Sequence, residues 1–69
     1  MSLGRNILTR RRVAGLSQRE LAKEVGVSHV AVHNWESDIS LPKAQLLPLL
    51  ARVLGCSIDE LYNHDEEAS

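Results

Sequence analysis

Ser17-Gln18-Arg19-Glu20-Leu21-Ala22-Lys23-Glu24-Val25-Gly26-Val27-Ser28 is the stretch that decides the fold. Ser followed three residues later by Glu is a capping box, in which each side chain satisfies the other residue's backbone N–H at a helix start. Leu21, Ala22 and Val25 then recur at helical spacing and make one apolar stripe. Gly26 stops the helix, because glycine takes the positive φ that other residues resist. Ser28 caps a further helix only two residues later, and Val32 and Trp35 point inward from it. The stretch therefore predicts two short helices joined by a tight turn. Ala22 must be small for them to cross closely, and Val27, Val32 and Trp35 must fix the angle of the second.

Helix signals continue on both sides. Upstream, a helix is predicted from about Leu3 to Ala14, with Leu3, Ile7 and Ala14 on one face and Gly15 as its left-handed cap. Arg10 and Arg11 fall where that apolar stripe should continue, so one of them must be partly buried with a partner. Downstream, residues 38–41 read as a loop and Pro42 restarts the chain. A fourth helix is predicted from about Ala44 or Gln45. Pro48 then lies in its first turn, where a missing N–H costs little. Leu47, Leu50, Ala51 and Leu54 form its stripe and Gly55 closes it. A second capping box, Ser57-Ile58-Asp59-Glu60, opens a short fifth helix with Ile58 and Leu61 inward. Residues 1–62 make one domain on this reading, and 63–69 an acidic tail or linker.

Composition narrows the class. Phe is absent, and β-branched residues do not alternate with polar ones, so strands are not expected. Helices this short must pack together to be stable. With 69 residues and one cysteine, the chain suits one small all-α domain without an internal disulfide, as in a reducing cytoplasm. No apolar run has membrane-helix length. The net charge of −1 hides a division. Residues 1–43 hold seven basic and four acidic side chains, a balance of +3. Residues 44–69 hold Arg52 against five carboxylates, a balance of −4. One end suits phosphates and the other does not.

The stretch 15–28, with Val32 and Trp35-Glu36, resembles the Cro and repressor type of helix-turn-helix. Lambdoid phage repressors and many bacterial regulators and antitoxins share it. The resemblance continues through Pro42, Leu50-Ala51, Leu54-Gly55 and Ser57 to Leu61, and so covers roughly residues 4–62. It implies a compact five-helix, lambda-repressor-like DNA-binding domain. Such a domain is a bacterial or phage transcription regulator that reads a two-fold symmetric operator in double-stranded DNA. The resemblance also implies a weak homodimer through the fifth helix, with Leu61 and Tyr62 the expected contacts.

With Val32 and Trp35 inward, positions 29, 30, 33 and 34 point away from the core. They hold His29, Val30, His33 and Asn34. An exposed valine lacks a solvation reason but suits the C5-methyl groups of thymine. Asn34 can pair bidentately with adenine, and His29 and His33 can donate to guanine N7 or O6, or to phosphate. The plainer alternative puts Val30 in the core and leaves the histidines as ordinary surface residues. Phosphate contacts are expected from Gln18 and Ser28 at the two helix starts, which the resemblance also implies, and from Arg11, Arg19 and Lys43. Arg5 and Arg12 are looser candidates. The resemblance further implies that Arg11 pairs with Glu36, linking the first and third helices.

Asp38 stands where the family usually has Gly, and Asp tolerates the left-handed conformation. Ile39-Ser40-Leu41 replaces the basic loop common in the family, so Ile39 and Leu41 either pack on the core or join a subunit contact. No nucleophile–base pair points to an enzyme, and Cys56 is expected to pack between helices. No cofactor is expected: His29 and His33 have a spacing that can hold a metal, but two ligands alone are insufficient. The rival function is that of an antitoxin whose main partner is a toxin protein.

Overall fold

The computed structural model describes residues 2–62. The expected tail, residues 63–69, lies outside the described residues, as does His64. Five α-helices follow in order: α1 (Leu3–Val13), α2 (Gln18–Val25), α3 (His29–Glu36), α4 (Leu47–Leu54) and α5 (Ile58–Tyr62). A 3-10 turn, Ala44–Leu46, leads into α4. No strand occurs among the described residues. The all-α, five-helix architecture is the one the sequence predicts.

The helix starts follow from the serines. In the box at α2, Glu20 N–H donates to Ser17 Oγ (3.0 Å) and Ser17 N–H donates to Glu20 Oε1 (2.8 Å). At α5 the Ser57–Glu60 box has the same two bonds, at 3.0 and 2.8 Å. The backbone N–H of Ser57, and then its hydroxyl, hold the Glu60 carboxyl below the ordinary carboxylate value. This cap therefore contributes fully above the ordinary carboxylate range and is lost as pH falls through the lowered value. Ser2 Oγ caps α1 by accepting from Arg5 N–H (3.1 Å), and Ser28 Oγ caps α3 by accepting from Ala31 N–H (3.2 Å). Pro48 sits in the first turn of α4, as its missing N–H requires.

The core runs through all five helices. Ile7, Leu21, Val32, Leu50 and Leu61 are fully buried, with Leu3, Ala22, Val25, Trp35, Ala51 and Leu54 packed around them. α3 lies against both α1 and α2, while α5 closes the far end against α1 and α4. There Asn6 Nδ2 donates to the Leu61 carbonyl (2.8 Å), so a buried polar side chain ties the first helix to the last.

Three expectations need correction. Ala14 is exposed, because α1 ends at Val13 and the chain turns away through Gly15 (φ 76°). Ile58 is exposed rather than inward: α5 has five residues and room to bury one, and Leu61 takes that place. Leu61, being fully buried in its own subunit, is therefore no subunit contact. The loop after α3 behaves as expected at Asp38, which adopts φ 61°. Of the two alternatives for Ile39 and Leu41, packing on the core is ruled out, since they are 68% and 72% exposed.

Candidate nucleic-acid interface

The turn between α2 and α3 is held by backbone geometry. Gly26 takes φ 83°, and both Gly26 and Val27 donate their N–H to the Ala22 carbonyl, at 2.8 and 2.9 Å. Ala22 itself is buried where α2 meets the core. Val27 packs on the core edge, and the next residue, Ser28, caps α3. The second helix thus leaves the first at an angle with little freedom.

From behind, α3 is fixed by apolar and ionic contacts together. Val32 and Trp35 are buried. Beside them, Arg11 grips Glu36 with two bonds: Nε donates to Oε2 at 2.6 Å and Nη2 donates to Oε1 at 3.0 Å. Arg11 Nη1 donates to the Leu16 carbonyl at 2.9 Å, so the guanidinium also anchors the α1–α2 link. Gln18 Nε2 donates to Glu36 Oε1 at 2.9 Å. The Arg11 and Glu36 side chains are only 11% and 5% exposed. Two charges this far from water require such complete pairing. Arg11, which was also expected on a phosphate, spends three of its five N–H donors inside the protein, one from each nitrogen.

Close approach of α1 adds a further constraint. A Cβ on Gly4 would stand 2.1 Å from the Trp35 carbonyl oxygen and 2.6 Å from Asp38 Oδ1. Only glycine lets α1 pass the end of α3 at this distance.

The opposite side of α3 gathers the four predicted reading residues. Val30 is 53% exposed, His33 is exposed, and His29 and Asn34 are half-buried. The alternative that placed Val30 in the core fails. Of the residues expected on phosphates, Ser28, Arg19 and Lys43 are exposed and Gln18 is half-buried. Gln18 has one amide donor committed to Glu36 and a second to offer outward. Lys43 sits at the start of the 3-10 turn, on the rim of a shallow pocket lined by Val27, Ala31, Trp35 and Leu41. Arg5 and Arg12 are exposed on α1.

A helix-turn-helix family model matches residues 7–61. The chain belongs to that family. Within it, the repressor protein C2 of Salmonella phage P22 is 38% identical over 63 residues, which cover 91% of this chain and 29% of that protein. The transcriptional regulator DicA of Escherichia coli K12 is 37% identical over 67 residues, covering 97% of this chain and 50% of DicA. The chain thus spans half or less of the length of these two relatives. In three dimensions it is similar to the P22 c2 repressor in a crystal structure with a synthetic operator. The TM-score is 0.88 at 37% identity, covering 94% of this chain and 98% of that one. These relatives are regulators, not enzymes.

Sequence reasoning missed three features of the family fold as this chain builds it. The Gly4 approach had a signal, since a glycine inside a helical pattern usually has a packing reason. Asn6 and the Gln18–Glu36 bond had none: their partners lie 55 and 18 residues away.

Proposed function

We propose that this chain is the operator-reading domain of a bacterial or phage transcriptional repressor, acting in the cytoplasm on double-stranded DNA. In this reading α3 lies in the major groove. Val30 meets thymine methyl groups, Asn34 pairs with adenine, and His29 and His33 donate to guanine or to phosphate. Gln18, Ser28, Arg19 and Lys43 hold the phosphates, helped by the free amides that open α2 and α3.

The observation that carries the reading is Val30. An apolar side chain 53% exposed stands amid hydrogen-bonding residues, on a helix locked from the other side. Similarity to a repressor solved with a synthetic operator supports a DNA-binding role. Relatives named as repressor and transcriptional regulator favour this role over that of an antitoxin. For the partner subunit we infer weak pairing through α5. Ile58 and Tyr62 are the exposed apolar side chains there, 37% and 50% accessible. Two half-sites about 34 Å apart would be read by such a pair.

Selection of bound duplexes from a random library tests the proposal. The expected result is a two-fold symmetric site with thymines in each half. No enrichment at low salt, even with two copies covalently linked, would overturn it.

A further inference from the structure

Two imidazoles stand on the face just described, one helical turn apart. His33 is exposed and His29 half-buried. Residues four apart on a helix are neighbours, about 5–6 Å between Cβ atoms. Among the described residues neither imidazole has a hydrogen-bond or ion-pair partner. Their donors and acceptors are therefore uncommitted in the free protein.

The charged groups on the elements packed against α3 leave these imidazoles without a carboxylate partner. On α1 they are Arg5, Arg10, Arg11 and Arg12, with Arg11 closed onto Glu36 of α3 itself. On α2 they are Arg19, Glu20, Lys23 and Glu24, with Glu20 engaged in its capping box. In the segment after α3 they are Asp38 and Lys43. No ion pair joins any of these carboxylates to His29 or His33.

Duplex DNA offers what the protein withholds. Phosphate oxygens and guanine N7 and O6 are all acceptors. A neutral imidazole has one donor and one acceptor, whereas the imidazolium ion has two donors and a positive charge. Resting on α3 being the DNA-facing helix, we propose that operator binding by this chain takes up protons. His29 and His33 enter the complex as imidazolium donors to the acceptor groups of guanine or phosphate. The protons come from the buffer, and no bond other than N–H is made. Linkage fixes the sign: DNA favours the protonated protein, so protonation favours DNA. Affinity therefore rises as pH falls. Each proton taken up gives about a tenfold change in Kd per pH unit.

The test measures Kd for the selected duplex at about pH 6 and about pH 8 at fixed ionic strength. The proteins are the wild type and the His29→Gln, His33→Gln double variant. The readout is the ratio of the two Kd values, whatever affinity the variant retains. The wild type is expected to tighten by about ten- to a hundredfold, and the variant to lose that gain. A flat wild-type ratio, or an equal ratio in the variant, overturns the proposal. If the variant binds too weakly to read, calorimetry of the wild type in two buffers of different ionisation enthalpy counts the protons directly, and a count of zero overturns it. The acceptor is then identified by two arms. Phosphate contact steepens the salt slope at low pH by about 0.9 per phosphate neutralised. Guanine contact is lost when 7-deazaguanine replaces guanine. Absence of any selective binding at every pH would overturn the operator reading as well, a result distinct from pH-independent binding.

Discussion

On one side of α3, Val32 and Trp35 are buried and Glu36 accepts from both Arg11 and Gln18. On the other, Val30 is 53% exposed and neither imidazole has a partner among the described residues. Eight residues thus carry two opposite arrangements. The inner side has every strong group satisfied and therefore sets an angle. The outer side keeps its groups unsatisfied and therefore has something to offer a ligand. The difference teaches that the reading face gains precision from contacts it does not itself make. A helix of two turns on a mobile base would spread His29, Val30, His33 and Asn34 over many orientations, and a rigid base edge could not be matched.

Breaking the inner side should have the largest effect. Glu36→Gln leaves the Arg11 guanidinium buried without its counter-charge, and such one-sided removal costs about 3–5 kcal/mol. A domain of this size has a total stability of roughly 3–10 kcal/mol, so the thermal midpoint should fall steeply. An unchanged midpoint would refute the structural role of the pair. Replacing both partners with apolar residues of similar volume should recover much of the loss, because no isolated charge then remains.

Gly4→Ala comes next. Its Cβ would meet the Trp35 carbonyl at 2.1 Å, and a backbone atom cannot swing aside as a flexible side chain would. Overpacking of this kind costs about 1–3 kcal/mol. Denaturant unfolding should register that loss. Because relief requires α1 and α3 to move apart, DNA affinity should fall too, although Gly4 is buried and outside the reading face. A stable variant with unaltered affinity would show that α1 does not set the angle of α3.

How far the sequence disclosed this arrangement depends on how local the chemistry is. Both capping boxes were legible, because Ser17 with Glu20 and Ser57 with Glu60 satisfy each other within one turn. The outward set on α3 followed from Val32 and Trp35 by helical arithmetic. Arg11 was visible as an interruption of an apolar stripe, but its partner came from the family resemblance. Asn6 was illegible, since nothing near it in the chain implies a carbonyl 55 residues away. Ile58 and Leu61 were read as equivalent because a five-residue helix is too short to display a period. Packing of α5 against α1 and α4 decided between them.

The smallest effect on stability, and the sharpest test of the comparison, is Val30→Ala. Shortening a side chain already 53% exposed should leave the unfolding midpoint within about 0.5 kcal/mol of the wild type. Affinity for the selected duplex should nevertheless drop by about tenfold, since roughly 0.8 kcal/mol is lost for each carbon withdrawn from an apolar contact. Replacing the thymines of each half-site with uracil removes the same contact from the DNA side, because uracil lacks the C5-methyl group. If Val30 touches those methyl groups, the two changes are not additive: the alanine variant should discriminate thymine from uracil far less than the wild type does. Equal discrimination by both proteins would place the thymine contact elsewhere on the molecule and leave the exposed valine without its assigned role.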